Sequence, residues 1–334
     1  MLERCHLTTP RLIASLGALA ALVAVAATPQ LLGSRVSHAV SGLGGASRPW
    51  LAVAAGGFLV AVLCAVAAWR AAIVACGGRI GFGDAPARYG VGALVNSFVP
   101  AKLGDAVRIA LFSKALDGPE RIWTTGGVYA ALMAAHCLTL AGFVLAASAS
   151  GALPAWPALA LCAVVVALAA AAWLARGSGR FAHFFEALAT LERSPRAAAQ
   201  VIAWMALSSL ARMGAAAAVA VALGVSHPLL AALVIIPAID LAGAMPLTPG
   251  NIGVVSGAVA VALQSRGIGM TQALSTGIAF HAVETLIGIS FGALSGLYLV
   301  RSRPAVRRWT VRVALVGACL TLAFAFSALV LDLV

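Results

Sequence analysis

The chain has 334 residues, 62% of them apolar and only 10% charged, with a formal net charge of +12. A soluble domain carries roughly 25% charged residues, so a soluble enzyme is excluded. The cations lie between hydrophobic runs and not on a polar face, which excludes a nucleic-acid partner and marks them as loop charge beside a membrane.

Apolar runs predict seven full membrane spans, at about 12–33, 50–75, 119–148, 155–175, 197–223, 271–300 and 309–332. Each reaches the roughly 20 residues that cross a bilayer core. None alternates with period 2, so helices and not barrel strands are expected. Arg4 and Arg11 precede a run ending Ala24-Val25-Ala26-Ala27, which resembles a signal peptide. Its length predicts an uncleaved first helix instead. Two further segments, 86–116 and 228–264, are apolar but interrupted by proline and glycine, and are expected to be re-entrant hairpins of broken helix. Residues 176–196, with Phe181, Phe184, Phe185 and Leu188 among charges, predict a short amphipathic interfacial helix. The fold class expected is an all-α, polytopic integral membrane helical bundle forming one transmembrane domain over 1–334.

Loop charge sets the orientation. With the N-terminus cytoplasmic and the C-terminus outside, eighteen of the 22 cations fall inside, three outside, and Arg212 falls mid-span. So strong a bias follows the positive-inside rule. It requires the first broken segment to dip from the cytoplasm and the second from outside, or each to be two complete short spans. The halves 50–148 and 197–300 then have opposite directions, an inverted repeat of the kind that builds many transporters, with 309–332 as a C-terminal span.

The broken segments also resemble each other. The first contains Asn96, Pro100, Lys102, Gly104, Asp105 and Arg108; the second contains Pro246, Thr248, Pro249, Gly250, Asn251 and Gly253. Both hold Pro-x3-Gly before a short helical stretch ending near Gly118 or Gly267. A helix that starts inside the membrane presents free N–H groups with partial positive charge, a site for phosphate. Lys102 and Arg108 add charge at the first such end, and Asp105 shares a helix face with Arg108. Arg212, Asp240, His281 and Glu284 are ionisable groups within apolar segments and must face a cavity or one another. Arg212 is expected either to bind an anionic headgroup or to pair with Asp240 or Glu284 and hold the bundle. His281 and Glu284 lie one turn apart. His136 is expected to be a hydrogen-bonded packing residue. Walker, GxSxG and HExxH motifs are absent, as are CxxC pairs among the six cysteines, so no catalytic residue, metal or other cofactor is expected.

Asn96…Pro100-Ala-Lys102-Leu-Gly104-Asp105-Ala-Val-Arg108 and Pro246-Leu-Thr248-Pro249-Gly250-Asn251-Ile-Gly253 resemble the two signatures of the lysylphosphatidylglycerol synthase/flippase transmembrane-region family. The resemblance runs from about 50 to 300. It implies a bundle with two re-entrant elements that flips lipid between leaflets, as its best-understood members do with aminoacylated phosphatidylglycerol. The chain ends soon after its last expected span, so the cytosolic synthase activity of bifunctional members is not expected. Asn251 stands where the second signature commonly has its second glycine, and Ser256 stands near an acidic position that Glu284 is a candidate to replace. The function expected is translocation of an anionic or phosphate-bearing lipid, a phospholipid or polyprenyl-linked glycolipid, in the bacterial inner membrane. The alternatives are a membrane-embedded enzyme acting on a lipid phosphate or sugar, with Asp105, Glu284 or His281 in acid–base roles, and a non-transporting partner of a lipid-modifying synthase or glycosyltransferase. Membrane lipids, such a synthase or glycosyltransferase, and a second copy of the chain are the expected partners.

Overall fold

A computed structural model describes residues 42–98, 103–151, 182–244 and 253–299, and residue 163 alone. The expected spans at 12–33 and 309–332, and 155–175 apart from that one residue, lie outside these segments. Every regular element among the described residues is helical. In chain order they are α1 (Arg48–Ala75), α2 (Asp84–Phe98), α3 (Leu103–Phe112), α4 (Arg121–Ala149), α5 (Ala182–Arg193), α6 (Pro195–Ala222), α7 (Pro228–Ala244), α8 (Val254–Gln264) and α9 (Met270–Leu299). Among the described residues, α1, α4, α6 and α9 are long and apolar enough to cross a membrane. The protein is an all-α, multi-pass membrane protein, and the four long helices match expected spans to within two residues at each end.

The local chemistry accounts for these boundaries. Both α1 and α6 begin with proline in their first turn, where its missing N–H costs nothing. Both end on a glycine with positive φ, Gly77 at 83° and Gly224 at 66°. The next N–H, of Gly78 and of Val225, reaches back to the carbonyl of Ile73 and of Ala220, each at 2.9 Å. This is the closure that only a left-handed residue allows.

The two broken segments are each a pair of short helices. α2 and α3 have 15 and 10 residues, and α7 and α8 have 17 and 11. At 1.5 Å per residue none exceeds about 26 Å, short of the roughly 30 Å hydrocarbon core. The long helices before and after them have 28 and 29 residues in the first case, 28 and 30 in the second. The same order of lengths therefore occurs twice. Among the described residues α1 and α6 form the most extensive helix pairing, and they run antiparallel. Ser47 N–H donates to the Ala222 carbonyl at 2.9 Å near one end, and the Ser208 hydroxyl donates to the Ala61 carbonyl at 2.7 Å near the middle.

Small residues let the backbones approach this closely, the usual device where lipid removes any hydrophobic drive between helices. Ala54, Ala61, Ala68 and Ala72 of α1 and Ala215 to Ala220 of α6 are buried. Phe58 of α1 meets Phe280 of α9 edge-on, ring centroids 4.9 Å apart. α9 packs on α8 and on α2, and there a Cβ at Gly292 would lie 2.7 Å from the Gly90 carbonyl oxygen. The outer faces carry exposed Val53, Leu138, Leu145, Leu241, Val261 and Leu294, the apolar rim that hydrocarbon solvates. α5 is the amphipathic helix expected within 176–196; it buries Ala187 and Leu191 and packs on α4.

Gly292→Ala is expected to lose about 1–3 kcal/mol, because the new methyl meets backbone that cannot yield. Gly142→Ala, in α4 with open space around it, is expected to be neutral or to gain up to about 1 kcal/mol of helix propensity. Denaturation of both variants in detergent micelles measures the difference; equal midpoints would refute the close packing of α2 on α9.

Candidate functional site

Two polar clusters lie among these apolar helices. The first closes the break between α2 and α3. The Asn96 side chain uses both ends: its carbonyl accepts from the Gly104 N–H at 2.7 Å, and its amide donates to Asp105 Oδ1 at 3.1 Å. Arg108 Nη1 donates to the same Asp105 oxygen at 2.7 Å. The Tyr129 hydroxyl, from α4, donates to Asp105 Oδ2 at 3.0 Å. The Arg108 guanidinium also lies over the Tyr89 ring, 4.2 Å from its centroid. Backbone contact is close enough that a Cβ at Gly92 would lie 2.7 Å from the Gly104 carbonyl oxygen.

The N-terminus of α3 was expected to offer free N–H groups, with Arg108, to a phosphate. One of those groups, the Gly104 N–H, donates to Asn96, and Arg108 pairs with Asp105, whose helix face it shares. Asn96, Gly104, Asp105 and Arg108 form a lock on the hairpin. Pro100 and Lys102 lie outside the described residues.

The second cluster draws on four helices. Arg212 of α6 donates from Nη1 to Asp240 Oδ1 of α7 at 2.8 Å, and its Nη2 lies 3.0 Å from Glu284 Oε1 of α9. His136 of α4 places Nε2 at 3.1 Å from Asp240 Oδ2 and Nδ1 at 3.3 Å from the Ser209 hydroxyl of α6. Pro237, one turn before Asp240, removes an N–H from the α7 ladder close to the cluster. Both readings of Arg212 as a pairing group are thus realised together: it holds Asp240 and Glu284 at once. His136 is hydrogen-bonded, as expected, but to this ionic cluster and not to bland packing partners. His281 lies one turn from Glu284, and its Nδ1 is buried without a partner, as is Arg212 Nε. Gly253, at φ 82°, precedes the first residue of α8; Thr248, Pro249, Gly250 and Asn251 lie outside the described residues.

One guanidinium against two carboxylates leaves a net negative charge when both imidazoles are neutral. An unmatched charge at mid-membrane costs about 2.5–3.5 kcal/mol on insertion scales, so every member of the cluster constrains the others. The cluster is not closed to its surroundings: the Glu284 side chain is 33% exposed, against 15% for Asp240 and 20% for Arg212.

α4 joins the two clusters. Tyr129 and His136 are seven residues apart, two turns along one face, about 10 Å. Tyr129 and Ser209 are the site residues that sequence reasoning missed. The available signal for Tyr129 was this same polar spacing on an otherwise apolar span.

The sequence model of the family described as "Lysylphosphatidylglycerol synthase TM region" matches residues 12–292. The chain belongs to this family. The match covers both broken segments and all nine described helices but for the last seven residues of α9. A search of curated proteins gives no match. Membership in the lysylphosphatidylglycerol synthase transmembrane-region family relates this membrane protein to lipid handling.

Arg212→Ala leaves Asp240 and Glu284 without their shared cation and is expected to cost about 3–5 kcal/mol. Neutralising all three together (Arg212→Met, Asp240→Asn, Glu284→Gln) is expected to recover most of that loss. Thermal denaturation in detergent measures both; a triple variant no more stable than Arg212→Ala would show that charge pairing is not what the cluster contributes.

Proposed function

We propose that the protein is a flippase-like carrier that moves a phosphate-bearing lipid, a phospholipid or polyprenyl-linked glycolipid, between the leaflets of a bacterial inner membrane. The carrying observation is the Arg212 cluster: an ionic group built from α4, α6, α7 and α9, beside a pair of helices too short to span. A bundle held by packing alone has no need of it, and intramembrane charge otherwise marks a transport path.

The doubled order of helix lengths and the antiparallel α1 and α6 support two inverted halves, α1–α4 and α6–α9. Helix neighbours support them too. Exchanging α1 with α6, α2 with α7, α3 with α8 and α4 with α9 turns the packing of α9 on α2 into that of α4 on α7. It turns α8 on α9 into α3 on α4, and all four pairs pack. His136 belongs to the first half and its partners Asp240 and Ser209 to the second, so the cluster bridges the surface where two halves would rock. The loop charges support a cytoplasmic N-terminus.

The headgroup phosphate reaches Arg212 by exchange. Glu284 is the more exposed of its two carboxylates, so a phosphate arriving from the lipid side replaces Glu284 and leaves Asp240 bonded. A bidentate guanidinium suits that ligand. The tails stay in hydrocarbon while the halves change exposure.

An enzymatic reading has one observation in its favour, the Ser209–His136–Asp240 chain of contacts. Ser209 is 3% exposed and lies mid-helix, where backbone N–H groups are committed to the helix and supply no oxyanion hole. The transport reading is therefore preferred.

Liposomes reconstituted with the protein and labelled lipids of several headgroups test it. Movement of at least one phosphate-bearing lipid between leaflets, well above protein-free liposomes, is expected. No movement of any such lipid would overturn the proposal.

A further inference from the structure

The same exchange has a consequence for charge. With both imidazoles neutral, the cluster of Arg212, Asp240 and Glu284 carries one net negative charge. A phosphate that replaces Glu284 on Arg212 adds a second within a low-dielectric space. The charge returns to its resting value if one proton enters with the phosphate.

The group placed to take that proton is Glu284. Released from Arg212 Nη2, its carboxylate has lost its cation. His281 lies one turn away on α9 with a buried, unpartnered Nδ1. Among the described residues, the elements packed on α9 offer no other counter-charge here. α1 presents Phe58 to Phe280, α8 presents Ser256 to Gly277, and α2 presents Ser97 to Gly288. α6 presents Arg212, bonded to Asp240 of α7, which holds His136 of α4. Glu284 is also the most open member of the ion-paired set, so it is the carboxylate that a proton arriving with the headgroup meets first.

We infer that Glu284, with His281 beside it, is a proton-binding site, and that the carrier moves its lipid together with one proton. This rests on the lipid-carrier reading above. In the resting state Glu284 is ionised and paired with Arg212. A lipid phosphate monoanion takes its place, and a proton from the same aqueous side forms an O–H on the freed carboxyl. His281 Nδ1 accepts the hydrogen bond from that O–H. On the other side the phosphate leaves, the proton returns to water, and Glu284 bonds Arg212 again. One negative and one positive charge cross together, so the cycle is electroneutral. The site's negative charge would equally attract sodium, but each Asp240 oxygen is already bonded, to Arg212 or to His136, which favours the proton.

Proteoliposomes holding a trapped pH dye and a labelled phosphate lipid test this. A gradient of one pH unit is expected to accumulate lipid in the leaflet facing the alkaline side, to a ratio of about tenfold for one proton per lipid. A sodium gradient of the same size at uniform pH is expected to give no accumulation. An imposed lipid gradient is expected to move protons in the same direction as lipid, as the dye reports. Glu284→Gln, which holds no removable proton, is expected to bring the pH-driven ratio to one, and His281→Asn to shift the pH at which the rate is half-maximal. Lipid that moves equally with and without a pH gradient, carrying no proton, overturns the coupling and leaves the carrier standing. The wild-type protein alone decides this, should Glu284→Gln not fold. Accumulation driven by sodium overturns the choice of proton. No lipid movement under any condition overturns the carrier and the coupling together.

Discussion

Arg212 holds two carboxylates at once, and much of the interior follows from that. A cation in hydrocarbon must find its anions within the bundle, and the anions found are on α7 and α9. The helices that carry them are thereby fixed in rotation and in depth. Asp240 in turn fixes His136, so α4 is drawn in as well. Four helices that share little sequence are registered by one set of charges. The same low dielectric that makes an unmatched charge costly makes the matched set a sensitive place to add a ligand.

The two polar clusters have different characters. At the Asn96–Asp105 cluster the four side chains satisfy one another and the Gly104 N–H at the start of α3. Such a group resists change, and it stiffens a hairpin whose backbone break would otherwise be a weak point. At the Arg212 cluster two polar nitrogens remain without partners and one carboxylate is a third exposed. Incomplete satisfaction is the property expected of a group that must exchange partners. Two turns of α4 separate them, so the fully satisfied cluster and the incompletely satisfied one share a scaffold.

Much of the fold was legible in the sequence because spanning a bilayer imposes a length on apolar runs. The four long helices were read to within two residues at each end. Both broken segments resolved into pairs of short helices because proline and glycine act locally on the backbone. The roles of polar residues were less legible. His136 read as a packing residue and Tyr129 did not stand out, since each gains its meaning from partners 104 and 24 residues away. The start of α3 was read as an anion site because a free helix end is a local property, while the Asn96 side chain that takes up its Gly104 N–H arrives from another helix.

The sequence by itself determined that this chain lives in a membrane, where its four long described helices begin and end, and which of its charges fall within apolar segments. Those follow from hydropathy, from backbone conformational limits and from the cost of burying charge, all of which act over a few residues to a few turns. Only the tertiary structure decided which charges meet. Partner choice depends on how helices rotate and cross, and that is set by small-residue seams between distant segments. Folding therefore turned one arginine, two carboxylates and two histidines, scattered from position 136 to 284, into a single site.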